Sequence, residues 1–206
     1  MLKAYRQVMM NAGSSGVDGM SVNALSKHLK ENRNKIMTSM VNGSYLPQAI
    51  LGVSIPKSNG KERLLGIPTV TDRLLQQAVS QVVGASFEPE FKAHSYGFRP
   101  NRNAHQAVQQ AQKNIHEGYD YIVDIDLKNF FDEVDHSILL QLLYRKVKCR
   151  LTLRLIRQWL RAPILVKGKL VKRRKGVPQG SPLSPLLSNI MLHELDRELE
   201  KQGHRY

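Results

Sequence analysis

The sequence predicts an α+β fold in two lobes with a soft boundary near Gly118, dividing residues 1–118 from 119–206. Three observations predict it. Long stretches space their apolar residues as one helix face, and two pairs of short β-prone arms are joined at glycines. No internal repeat or low-complexity linker interrupts the 206 residues, and hydrophobic residues at 41% with charged ones at 23% are ordinary for a packed body.

Residues 1–50 read as mainly helical and polar, broken by the turn chemistry of Asn11-Ala-Gly-Ser-Ser-Gly-Val-Asp-Gly19. From Ala49 to Ile67 two β-prone arms flank Asn59-Gly60, which predicts a hairpin. Asp72 to Phe87 returns to helical spacing, with Leu74, Leu75, Ala78, Val79, Val82 and Val83 on one side of a core helix. A loop, Ser95-Tyr-Gly-Phe-Arg-Pro-Asn-Arg102, leads into a helix over Ala104–Glu117 with Ala104, Ala107, Val108, Ala111 and Ile115 on one stripe. Tyr121-Ile-Val-Asp-Ile-Asp126 reads as a strand, which would set Asp124 and Asp126 on the same face. Asp135 is placed to cap the next helix. Ile164-Leu-Val-Lys-Gly-Lys-Leu-Val-Lys172 is a second pair of β-prone runs. Gly176-Val-Pro-Gln-Gly-Ser-Pro-Leu-Ser184 is a tight loop, and Pro185 can open the last helix.

Charge narrows the function. Lys+Arg number 31 against 17 Asp+Glu, a net charge of +14. Thirteen Lys or Arg and no acid lie between His136 and Gly176, so that one segment holds nearly all the surplus. Arg150, Arg154, Arg157 and Arg161 recur at helical intervals opposite Leu153, Ile156, Trp159 and Leu160. Such a stripe is either a solvated face or, since like charges four apart repel, a surface for a polyanion. Lys172, Arg173, Arg174 and Lys175 extend it. A single cysteine, Cys149, excludes an internal disulfide framework and any multi-cysteine zinc site, and points to a reducing compartment such as the cytoplasm. No apolar run reaches the ~18 residues of a membrane span, so no membrane partner is expected.

Asp126, at the exit of an apolar segment, is either a solvated or capping aspartate or a ligand for a hard cation. The wider pattern bears on that choice. Tyr121-Ile-Val-Asp-Ile-Asp-Leu-Lys-Asn-Phe-Phe-Asp132 and Gly176-Val-Pro-Gln-Gly-Ser-Pro-Leu-Ser-Pro185 resemble the A and B motifs of reverse transcriptases. Ile55-Pro-Lys-Ser-Asn-Gly-Lys-Glu-Arg-Leu-Leu-Gly-Ile-Pro-Thr69, Asp72-Arg73 and Ser95-Tyr-Gly-Phe-Arg-Pro100 resemble the finger motifs of group II intron-encoded proteins, and Gly16-Val-Asp-Gly19 resembles an earlier block of theirs. Two local departures, Tyr45-Leu-Pro47 and Arg63-Leu-Leu-Gly66, fall among the finger contacts.

The resemblance implies a right-hand polymerase with helix-rich fingers over 1–118 and a partial palm over 119–206. It implies an RNA-directed DNA polymerase that also serves intron splicing and mobility. Asp126 and the Leu127 carbonyl would bind Mg²⁺; Lys57 and Arg63 would grip the triphosphate of a dNTP, with Gln179 near its sugar. Phe131 would bar a 2′-hydroxyl, so DNA is the expected product. RNA, both template and intron, a DNA primer and dNTPs are the implied partners, and a homodimer is a further expectation. The family's Tyr-Ala-Asp-Asp hairpin does not occur before Tyr206, which predicts that these residues alone do not polymerise. Competing readings are a retron or diversity-generating reverse transcriptase and a non-catalytic RNA-binding maturase.

Overall fold

A computed structural model describes residues 1–56, 60 and 62–206. Helices α1 (Leu2–Asn11), α2 (Leu25–Val41) and α3 (Val70–Phe87) open the chain, with strands β1 (Ile50–Pro56) and β2 (Glu62–Ile67) between the last two. There follow α4 (Ala104–His116), the single turn α5 (Phe130–Glu133), α6 (His136–Lys146) and α7 (Arg150–Arg161). Strands β3 (Ile164–Val166) and β4 (Lys169–Val171) and the long helix α8 (Ser184–Lys201) complete it. Helices beside a small mixed sheet make the α+β architecture that the sequence predicts.

Local chemistry sets several boundaries. Thr69 caps α3 by accepting the Asp72 amide through its hydroxyl, and Asn103 with Gln106 forms a reciprocal capping box at α4. Asp135 accepts the amides of Ser137 (2.7 Å) and Ile138 (2.9 Å) at the start of α6, and these two bonds hold its carboxyl below the usual carboxylate range. Lys167 (φ 48°) and Gly168 (φ 76°) are both left-handed, the backbone demanded by the tightest hairpin turns.

Antiparallel β1 and β2 pair from Leu51↔Ile67 to Pro56↔Glu62, as the arm pattern predicts, and the Asn59 turn residue lies outside the described residues. The sheet order is β2-β1-β3-β4, with β3 parallel to β1 and antiparallel to β4. Pairing of β1 with β3 joins segments more than a hundred residues apart.

Three expectations need correction. Tyr121–Asp126 is not a strand: residues 120–127 are irregular and exposed, with Tyr121 fully open to solvent. A strand exists only where a neighbour completes its ladder, and among the described residues none runs alongside. The apolar stripe of α4 is real in sequence, yet α4 buries no residue, because no described element covers it. Val82, expected on the core side of α3, is 73% exposed: it lies about 100° round the helix from Val83, which is buried.

The main core gathers Leu75, Val83 and Phe87 of α3, Leu139 and Leu143 of α6, Ile156, Trp159 and Leu160 of α7, and Leu187 and Ile190 of α8. Each such burial contributes about 1.5–3 kcal/mol. A second cluster packs Ala4 and Val8 of α1 on Leu25, Val70 and Leu74. Among the described residues no helix is long and apolar enough to cross a membrane.

Candidate functional site

Arg63 of β2, Phe131 of α5 and Gln179 of the loop before α8 line one cleft of about 520 Å³. They come from three distant segments. Arg63 donates from Nε to Gln179 Oε1, and the Gly66 amide donates to the Gln179 carbonyl at 2.7 Å, so β2 is tied to the loop by side chain and main chain together. Lys57, the expected partner of Arg63, lies outside the described residues.

Two glycines make the loop's close approaches possible. Gly180 has φ +115°, and a Cβ there would stand 2.7 Å from the Gly66 carbonyl oxygen. Gly176 has φ +81°, and a Cβ there would meet the carbonyl oxygens of Asp132 at 2.8 Å and Phe131 at 2.9 Å. Both backbones are conformations that L side chains rarely adopt. Further bonds fix the loop: Ser181 Oγ to Gln76 Oε1 and Ser184 Oγ to the Pro178 carbonyl, each 2.7 Å and buried. His136 Nε2 lies 2.7 Å from the Gly176 carbonyl, and burial pushes its pKa down.

The far wall of the cleft is held by Arg73, a residue whose motif carries no assigned role in the sequence. Its Nη2 donates to the carbonyls of Ser14 (2.7 Å) and Gly13 (3.4 Å), securing the glycine-rich loop between α1 and α2. Burial lowers its pKa, opposed by the charge of Asp18.

Asp72 is a structural hub that the sequence does not announce. It is 2% exposed and accepts from the Tyr45 hydroxyl (2.9 Å), Trp159 Nε1 (2.9 Å), the Thr69 hydroxyl (2.9 Å) and the Gln48 amide (3.2 Å). Burial pushes its pKa up, and those four donors pull it back. The Thr69-x-x-Asp72 spacing signals a helix cap, but nothing local signals Tyr45 or Trp159.

The expected metal donors stand apart from the cleft lining. Asp126 and Leu127 are exposed on the irregular segment before α5, and the Leu127 carbonyl accepts the Phe130 amide at 3.3 Å. A carboxylate and a carbonyl are donors of the right hardness for Mg²⁺. No group of three His, Cys, Asp or Glu side chains able to hold a metal ion forms among the described residues.

The arginine stripe takes its expected form. Arg150, Arg154, Arg157 and Arg161 are exposed along α7, opposite buried Leu155, Ile156, Trp159 and Leu160. At its end a cleft of about 630 Å³ is lined by Arg161, Lys172, Arg173 and Arg174. Burial lowers the Arg173 pKa to about 10 against the pull of Asp132. Lys175 is engaged instead with Glu133 at 2.5 Å.

Comparison with known proteins adds an independent line. A family model described as reverse transcriptase (RNA-dependent DNA polymerase) matches residues 55–206. Group II intron-encoded protein LtrA of Lactococcus lactis subsp. cremoris is 38% identical over 195 residues, 94% of this chain and 32% of that protein. Protein YkfC of Escherichia coli (strain K12) is 34% identical over 195 residues, 93% of this chain and 51% of that one. The chain thus spans about a third and about half of these relatives. A solved structure titled "Partial Cas6-RT-Cas1--Cas2 complex" shares the fold, with a TM-score of 0.58, 24% identity, and coverage of 98% of this chain and 34% of that one.

Proposed function

Since the chain belongs to the reverse transcriptase (RNA-dependent DNA polymerase) family, we propose that it supplies the nucleotide-gripping part of an RNA-directed DNA polymerase of the group II intron-encoded kind. The whole protein would copy RNA into DNA and support splicing and mobility of its intron. The observation that carries this reading is the convergence of Arg63, Phe131 and Gln179 on one cleft. A guanidinium neutralises triphosphate oxygens by paired hydrogen bonds, and an aromatic ring limits which sugar enters. In the free protein Arg63 is occupied by Gln179, so a nucleotide's phosphates would exchange a neutral acceptor for charged ones.

Residues 1–118 would act as fingers and 119–206 as palm, a division of labour and not of cores, because the main core draws on both. Asp126 and the Leu127 carbonyl would contribute oxygen ligands for Mg²⁺. The ion would stabilise charge on the phosphates; this chain's cleft residues bind and orient the nucleotide.

The test is kinetic. In the full-length protein on a primed RNA template, Arg63→Ala raises the KM for dNTP about tenfold, the worth of a charge-assisted hydrogen bond, with a smaller change in kcat. An unchanged KM refutes the cleft assignment. Primer extension undetectable in the wild type, with RNA binding intact, favours the non-catalytic maturase.

The arginine surface of α7 would bind RNA through phosphates and shape. Arg154→Glu with Arg157→Glu lowers RNA affinity and flattens the log K against log salt line by roughly 0.7–0.9 for each phosphate that is no longer neutralised. Both side chains are exposed, so thermal stability stays within about 0.5 kcal/mol. An unaltered salt slope removes this face from the RNA surface.

A further inference from the structure

Phe98 occupies a backbone position that a bulky residue rarely tolerates. Its φ is +55°, in the left-handed region where glycine or asparagine normally stands. Burial does not explain it: the side chain is 72% exposed. Among the described residues no aromatic ring or cation pairs with it either.

The turn is nevertheless held from both sides. Upstream, buried Asn189 of α8 donates from Nδ2 to the Gly97 carbonyl at 2.9 Å. Downstream, Arg99 is 8% exposed and donates from Nη1 to the carbonyls of Lys92 (2.6 Å) and Ser95 (2.7 Å). Arg99 also pairs with Glu88 at 2.8 Å and covers the Phe91 ring at 5.4 Å from its centroid. A strained, solvent-facing phenylalanine fixed by anchors on either flank is an arrangement that stability alone does not favour, and such strain persists where a site uses it. The site is at hand, because Phe98 lines the same cleft as Arg63, Phe131 and Gln179.

We propose that Phe98 is a stacking platform for a nucleobase entering this cleft. A flat ring facing solvent on an anchored turn accepts the face of any base at a low ordering cost, since it has only two side-chain torsions to fix, and every base has such a face. The inference rests on the nucleotide reading of the cleft. The base belongs either to an incoming deoxynucleotide or to a single-stranded RNA template, and two probes separate them: dATP alone and oligo(rA).

The experiment measures the affinity of the full-length protein for each probe. Phe98→Ala weakens binding of one probe about tenfold, ~1.4 kcal/mol, within the range for stacking on an aromatic side chain, while Phe98→Trp retains it. The indole introduced by Phe98→Trp is quenched by the same probe, a signal read as the difference from the wild-type protein titrated in the same way. Whichever probe responds identifies the base. Phe98→Gly removes the left-handed strain, so its Tm equals or exceeds the wild type; a fall of several degrees would make the ring a packing element and overturn the proposal. Unchanged affinity for both probes in Phe98→Ala, with Arg63→Ala still weakening dATP, overturns the platform and leaves the cleft reading standing. Loss at Phe98→Ala without loss at Arg63→Ala keeps the platform and removes the triphosphate role of Arg63.

Discussion

Asp72→Ala destabilises the protein by about 3–5 kcal/mol, roughly 10 °C in Tm for a chain of this size. The cost comes from what the carboxylate leaves behind. Trp159 Nε1 and the Tyr45 hydroxyl both point at Oδ1, while the Thr69 hydroxyl and the Gln48 amide point at Oδ2. Each donor stranded in the interior costs about 1–3 kcal/mol, and only the Tyr45 and Thr69 hydroxyls can rotate to seek another acceptor. No Lys or Arg among the described residues forms an ion pair with Asp72, so the loss is of hydrogen bonds and not of a salt bridge. Asp72→Asn keeps one acceptor oxygen but turns an amide NH₂ toward two donors, and falls between alanine and wild type. Urea denaturation monitored by the buried Trp159 measures both variants; a loss below about 1 kcal/mol for alanine would show that the hub is not structural. On the proposed reading, nucleotide and RNA affinity fall together, because the same carboxylate holds the chain entering β1, through Gln48, and the arginine helix, through Trp159.

That hub marks where the sequence stops being legible. Tyr45 and Trp159 stand 27 and 87 positions from Asp72, and no periodicity connects them. The arginine helix is legible because its signal is local: four arginines and an opposite apolar face within one helix report their own geometry. The capped start of α6 and the β3–β4 hairpin are legible for the same reason. Tyr121–Asp126 misleads because alternation and β-propensity describe only half of a ladder. Arg63 and Gln179, 116 positions apart, are linked in the sequence only through the motifs they resemble, whereas the Phe98 strain is a dihedral angle that no motif states.

On the proposed reading, Phe131→Ala admits ribonucleotides, lowering the ratio of kcat/KM for dCTP over CTP by roughly 10- to 100-fold, the range that steric contacts in a pocket reach. A ring excludes a hydroxyl only if it cannot step aside, and the backbone here leaves Phe131 little freedom. Its carbonyl accepts the Val177 amide at 2.7 Å, and the Gly176 amide donates to the Val134 carbonyl at 2.7 Å. Gly176 fits against the Phe131 and Asp132 carbonyls with no room for a Cβ, and Phe130 meets the ring edge to face at 5.8 Å. The loop bearing Gln179 therefore braces the same turn that carries Phe131, so the residue beside the sugar and the ring that screens it move as one unit. Interfaces packed this closely shift as a whole or not at all, which is why trimming the ring, and not loosening a flexible side chain, is what should open the gate. Primer extension on an RNA template with each nucleotide alone measures the ratio; a value unchanged from wild type would mean that another part of the cleft selects the sugar.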